Sequence, residues 1–484
     1  MNSPFSSKFV TLIRTFKPAE LDLFEAWLST PFHTSNKHLR KLLRQIRRHY
    51  PGFSDSDFSK EQLFREVVPK GKFSNRWINN LLSEGFLAAR EFLSFQYFQQ
   101  DSHWKQEAWL TQLRQREIDK WYFKEAIKEK DQLQQTDHLS WEEELLAYRL
   151  QRDLYHHPSP VYRSAAGNTA IYDMSNQLDL VYCLEKGAIL AEKISRSNIL
   201  KSPEQRYDRE LKIWLALSEK IEHPSITLYR LRFMASAPVN LDEYGQLSKA
   251  FLRCFSRLEE KEQRIQLFLL LNDTTRLVRQ GQLAISSLLP LYKIGLHHET
   301  LLPEGRLSYA TFTNIIVAAN TSEQFAFTKQ FIGRYADRLE EEIREDCLRW
   351  ARAHMAFYKK DPEACTRILG ERDIEHPQLK LVSRLLHTQA YFELFLEDQS
   401  YDNYLYNYLS TFEKWLNRNR YYSRAYLQTA TRFVQKCRQM ALLWQEPPLD
   451  RHRLQSLFED VKDIQAPEWL KQKQRQLLEL AETE

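Results

Sequence analysis

Hydrophobic positions recur every three or four residues along most of this chain, the spacing that lines up one face of an α-helix. The clearest run is Leu39, Leu42, Leu43, Ile46 and Tyr50. At about 100° per residue these five gather on one side, opposite Lys37, Arg40, Lys41, Arg44, Arg47 and Arg48. A helix is therefore expected here, capped by Thr34, Ser35 or Asn36 and stopped by Pro51-Gly52. Strict alternation, the mark of a half-buried strand, is missing; only residues 161–172 come near it.

Helix starts are marked by capping pairs: Ser59 with Gln62, Ser140 with Glu143, Ser202 with Gln205, Asn240 with Glu243, and Thr321 with Gln324. In each, the first side chain can accept from an orphan backbone N–H and the last can reach back. Ser202-Pro203 and Asp361-Pro362 also place proline at the first helical position, where its missing N–H costs nothing. The expected fold class is all-α.

Behind these starts the helices fall in approximate pairs, at 176–222, 225–258, 262–295, 307–338, 346–370 and 378–417, whose starts are spaced by roughly 32–49 residues, about the period of helical-hairpin repeats. AHMAFYKKD (353–361) overlays AYFELFLED (390–398). In RWARAHMAFYKKDPEACTRIL (349–369), Ala353 and Ala356 permit close helix approach, Phe357 and Tyr358 fill a groove, and Ala364 sits early in the second helix. In this layout the chain resembles the tetratricopeptide repeat family. Its turn is shorter than the family's, the family's glycine is missing, and most other units match only in helix-pair length. The resemblance implies a curved stack of hairpins that engages peptides or protein partners on its concave face, with His354, Phe357 and Tyr358 at the groove. The same residues also read as an irregular helical array whose aromatics are simply core.

The expected organisation is a small basic helical domain (1–100), connecting helices (101–155), a long loop (156–176), an α-solenoid-like array of helical hairpins (177–445) and C-terminal capping helices (446–484). The loop is read from Pro158, Pro160, Gly167 and the small residues around them, and the later break from QEPPLD (445–450).

Charge sharpens one end of this picture. Of a formal +5, residues 1–100 contribute +6, from 15 Lys and Arg against 9 Asp and Glu, so the other 384 residues sum to −1. The cationic side of 37–48 is either a solvated face, paired with acids such as Glu20, Asp22, Glu25, Asp55 or Asp57, or a partner surface. Lys37–Lys41, Arg40–Arg44 and Arg44–Arg48 are like-charged neighbours on the helix. At about 0.2–0.5 kcal/mol per pair, their repulsion is too small to demand a function.

If the face is a partner surface, nucleic acid is one candidate. Residues 59–93 read helix, turn, helix, and the second helix carries Arg76, Asn79, Asn80, Ser83 and Arg90 on a polar arc. Arginine and asparagine can read guanine and adenine edges. The segment is similar to the winged-helix part of bacterial transcriptional activators that carry helical repeats behind it. Against that likeness stand a turn, about 68–73, longer than the usual three or four residues, no following strand pair, and Glu84 and Glu91 at the edge of the reading face.

Several chemistries are excluded or unmarked. No two of the 11 glycines lie closer than ten residues, which rules out a dinucleotide-binding turn and a Walker loop. His156-His157 and His297-His298 are adjacent and so point apart on a helix; they read as surface or capping residues, and His354 and His387 as groove or core residues. The acidic clusters 141–146 and 339–346 read as solvated faces. Cys365 stands at a helix start, where the dipole could lower its pKa, although such a cysteine is more often buried. Five cysteines, none closer than 18 residues to another, fit neither a disulfide framework nor a zinc site. With no apolar run long enough to span a bilayer and no signal-peptide pattern, the cytoplasm is expected and no membrane. No cofactor is implied. The expected function is a non-catalytic protein–protein interaction scaffold; the alternative is a nucleic-acid-binding regulator acting through residues 37–90.

Overall fold

The computed structural model describes residues 3–30, 36–53, 58–100, 102–135, 140–158, 170–200, 208–236, 240–445, 451–457 and 464–483. Among these residues the secondary structure is helical throughout and contains no strand. The capping signals act as spaced. Ser59 and Ser140 accept from the N–H groups of Gln62 and Glu143, whose side chains bond back. Asn240 caps through Asp242 and Glu243, and Asp361 caps ahead of Pro362 by accepting from Ala364. Thr321 departs from expectation. It closes a helix instead of starting one, because Glu323 takes a left-handed φ of 55° and Gln324 makes no side-chain cap. The Ser202–Gln205 pair lies outside the described residues.

The chain divides into two compact units, residues 1–178 and 179–484. In the first, α1 (Lys8–Ile13), α2 (Pro18–Trp27), α3 (Lys37–Arg47) and α4 (Lys60–Val67) all pack on α5 (Asn75–Gln100). Glycine at position 85 lets α1 approach: a Cβ there would sit 3.2 Å from the Phe9 ring. Phe9, Phe16, Phe24 and Phe92 meet edge-on and tilted at the centre, at ring separations of 5.2 to 6.4 Å. A second, smaller core joins α6 (Ser102–Gln115), α7 (Asp119–Gln135) and α8 (Trp141–Tyr155) around Leu113, Tyr122 and Leu150.

The loop expected at 156–176 is shorter than the sequence pattern implied. Residues 170–176 belong to α9 (Ala170–Leu200), which the unit boundary divides; residues 159–169 lie outside the described set. Beyond Gly167 the next glycine is Gly187 and no proline intervenes before Pro203, so helix continues as soon as the breakers are passed.

The second unit continues with α10 (Asp208–Ser218), α11 (Pro224–Ser236), α12 (Leu241–Cys254), α13 (Glu260–Arg279) and α14 (Leu289–His297). Then come α15 (Tyr309–Thr321), α16 (Phe325–Tyr335), α17 (Glu341–Tyr358), α18 (Pro362–Gly370), α19 (Pro377–Glu397), α20 (Asp402–Arg418), α21 (Arg424–Gln445), α22 (Arg451–Ser456) and α23 (Pro467–Thr483). From α15 onward the packing follows a rule. α15 packs on α17, α17 on α19, α19 on α21 and α21 on α23, while α16, α18 and α20 each lie against the helix before them. Alanines 318, 319, 351, 353, 390 and 430 are buried along this row, small enough to bring the helices together. One hydrophobic core runs from Leu228 to Leu477. α23 contributes to it near the C-terminus, where Trp469 packs on Phe392 and Phe433 and donates to Glu393 at 3.0 Å, with Lys473 paired to the same carboxylate.

Near the other end of that core a charge is buried. Arg232 of α11, 4 % exposed, pairs with Asp273 of α13, and the adjacent Thr274 bonds the Tyr244 hydroxyl at 2.6 Å. Without Asp273 the guanidinium would keep its desolvation cost and lose that compensating carboxylate. Asp273→Ala is expected to lower stability by about 3–5 kcal/mol, and the double change R232M/D273L to recover most of that loss. Denaturant titration of the full chain measures both; a small loss in the single variant would show that the pair is not what holds Arg232 in place.

Candidate functional site

On α3 the apolar positions are buried and the cations face outward, as their spacing requires. Much of that cationic arc is taken up by α2. Glu25, its side chain 19 % exposed, meets Arg44 at 2.5 Å, Arg40 at 3.4 Å and Arg47 at 3.7 Å, and Asp22 meets Arg47 at 2.6 Å. Burial alone would raise the Glu25 pKa, but the Arg44 and Arg40 guanidiniums outweigh it and hold the carboxyl below its ordinary value. Lys37, Lys41 and Arg48 are exposed and make no ion pair among the described residues. Glu20 is not among the neutralising acids, because it accepts from the Lys17 N–H at the start of α2; Asp55 and Asp57 lie outside the described residues.

Arg76 and Asn80 stand exposed on the first turns of α5, and Asn79 is half-buried and hydrogen-bonded to Asn75 at 3.5 Å. Glu84, on the same helix, accepts from the Asn36 side chain at the start of α3. α5 runs on to Gln100, and no strand pair follows it among the described residues.

The hairpin of α17 and α18 places its candidate residues inside. His354 is 5 % exposed and lies between the rings of Trp350 and Tyr358, at 4.9 and 4.7 Å. Its Nδ1 is 3.1 Å from the Asn320 side-chain nitrogen, and Thr328 donates to the Asn320 oxygen at 2.7 Å. That arrangement leaves the amide as donor and the imidazole nitrogen as neutral acceptor. Burial pushes the His354 pKa down to about 3. The open groove expected at His354 and Phe357 is a closed joint instead, because α15 and α16 cover it; Phe357 is buried, and Tyr358 is half-buried with its ring over His354.

Cys365 is fully buried, the commoner of its two readings, and burial, aided by nearby Asp361, pushes its thiol up to about 12, so the helix start does not activate it. Other expectations are corrected. His157 is buried against Tyr122, 3.5 Å from Asp119, rather than on the surface. Each acidic cluster sends one carboxylate inward. Glu144 is buried and bonded to Gln177, and Asp346 is buried and accepts from the N–H groups of Glu375 and His376 at 3.0 and 3.1 Å. No group of three histidine, cysteine or carboxylate side chains able to hold a metal occurs among the described residues.

A second basic segment lies elsewhere. Residues 414–445 contain seven lysines and arginines and no acid, a segment hidden when charge is summed over the last 384 residues. Between the end of α20 and the start of α21 this segment lines a cleft of about 800 Å³, with Arg420, Arg424 and Arg432 around the side-chain amides of Asn417, Gln428 and Gln435. Arg420 and Arg424 are exposed and make no ion pair among the described residues. The connection is shaped by Asn419, whose side chain accepts from the N–H groups of Tyr421 and Tyr422 at 2.9 and 3.3 Å. This Asx-type turn sets a row of rings beside the cleft. Tyr422 is anchored by its hydroxyl to the Pro377 carbonyl, with Tyr421 at 5.2 Å and Tyr426 at 5.6 Å, the outer two being 56 % and 40 % exposed.

No family model, curated protein or solved structure matches this chain. No described helix is long and apolar enough to cross a membrane.

The interior histidines make the fold acid-sensitive. Burial, with Arg384 nearby, pushes His387 down to about 4. Unfolding frees both imidazoles to take protons below about pH 6.5, which the folded chain resists until about pH 4 at His387 and about pH 3 at His354. Stability should therefore fall as pH drops from 6.5 toward 4. The check is to compare melting temperatures across that range in the parent and in His387→Phe. The variant should show a shallower fall, and an identical slope would remove His387 from the account.

Proposed function

We propose that this chain is a non-catalytic binding scaffold whose second unit is a solenoid-like stack of degenerate helical hairpins engaging a protein partner. The observation that carries the reading is the alternation in packing. α15, α17, α19, α21 and α23 form one row by next-but-one contact, and α16, α18 and α20 each back onto a member of it. Hairpins stacked in succession produce this contact pattern, and the likeness of 349–369 to a tetratricopeptide unit agrees with it. What favours binding over catalysis is the state of the reactive groups. His354, His387 and Cys365 are buried within helix joints with pKa values moved away from neutrality, where they stabilise packing and face no cleft. Five cysteines free of disulfides suit a reducing compartment, so we place the protein in the cytoplasm.

Nucleic-acid recognition through residues 37–90 is less favoured. Glu25 and Asp22 engage Arg40, Arg44 and Arg47, the cations that would otherwise meet phosphate. The test is affinity purification of the full chain, followed by reconstitution with the recovered protein and hydrogen-exchange footprinting. A stoichiometric partner that protects α15 to α23 is expected. A footprint confined to residues 1–178, or no protein in stoichiometric amount, would overturn the proposal.

A further inference from the structure

We infer that the cleft between α20 and α21 binds a single-stranded nucleic acid, with phosphates on Arg420 and Arg424 and bases against Tyr421 and Tyr426. The inference goes beyond the protein-partner reading and does not depend on it. It begins from the charge pattern. Across the described surface, cations are repeatedly met by acids, as Arg44 is by Glu25, Arg114 by Asp153 and Arg149 by Glu107. Along 414–445, Arg438 is held by Glu413 at 3.2 Å, whereas Arg420 and Arg424 make no ion pair among the described residues. Arg420 and Arg424 stand at the mouth of a cleft whose described lining includes no acid. An anion is the complementary ligand.

The rings narrow the class of anion. Tyr422 has a structural task, since its hydroxyl is bonded to Pro377 and its ring lies 6.4 Å from Trp415. Tyr421 and Tyr426 flank it with one side against protein and a large exposed area. Exposed aromatic faces interleaved with arginines form the platform on which unpaired bases stack while the backbone follows positive charge. A duplex keeps its base faces inside its own stack, so these rings would gain nothing from it. An acidic peptide would use the arginines and leave the ring faces without a planar partner. The side chains of Asn417, Gln428 and Gln435 supply donors and acceptors that base edges can use without strict sequence preference.

Fluorescence anisotropy on the full chain, with labelled oligo-dT and oligo-rU of about 15 nucleotides, tests this. Two or three phosphate contacts predict a log–log salt slope of roughly −1.4 to −2. R420E/R424E should weaken binding at least tenfold and flatten that slope. Y421A/Y426A should weaken binding by about thirtyfold or more, at roughly 1–3 kcal/mol per stacked base, and leave the slope unchanged, because stacking releases few counterions. K37E/K41E, on α3, should change neither. The tighter of the two oligonucleotides identifies the strand chemistry that the cleft takes. Unchanged binding by R420E/R424E, a slope abolished by K37E/K41E, or polyglutamate displacing the oligonucleotide as effectively as unlabelled strand would each overturn the inference. If circular dichroism shows R420E/R424E to be unfolded, R420Q/R424Q replaces it with the same expectation of a flattened slope.

Discussion

An amphipathic helix of two to six turns cannot bury its own apolar stripe, and the second unit of this protein depends on how that stripe is covered. Each member of the row α15, α17, α19, α21 and α23 is covered by the next, and the alternate helices fill the remaining side. The row shares one core with the helices before it, which continues from Leu228 to Leu477. A core propagated this way needs small residues where helices in the row approach closely, and Ala319, Ala351, Ala353 and Ala390 occupy buried positions there. α23 joins it by laying Trp469 on Phe392 and Phe433 and tying its indole N–H and Lys473 to Glu393.

Polar groups caught in such a core must be satisfied within it, because a buried unpaired group costs about 1–3 kcal/mol. That requirement accounts for His354 between Asn320 and two aromatic rings, for Asp346 receiving two backbone N–H groups, and for the Arg232–Asp273 pair. These residues look like chemistry in a linear reading, and their surroundings make them parts of the framework. The surface then remains as the place for function. There the two cationic segments differ in what faces them. The α3 arc meets Glu25 and Asp22, whereas Arg420 and Arg424 meet a cleft lined by amides and bordered by tyrosines.

The sequence by itself determined the class of fold and several helix starts. These follow from local causes: the spacing of apolar residues, the Ser59 and Ser140 capping boxes, Asp361 before Pro362, and the scarcity of glycine. It misled where a local signal competed with its continuation, as at Thr321, whose cap-like spacing falls at a helix end, and at 170–176, where helix resumes directly after the breakers. Only the tertiary structure decided what each face meets. Whether Arg44 is free depends on Glu25, 19 positions away and on another helix, and whether His354 is open depends on Asn320 and Thr328. Charge summed over long stretches also hid 414–445, although a shorter window on the same sequence exposes it. The physical reason is range. Helix formation is settled within a few residues, whereas burial and ion pairing join residues that the chain brings together only after its helices have packed.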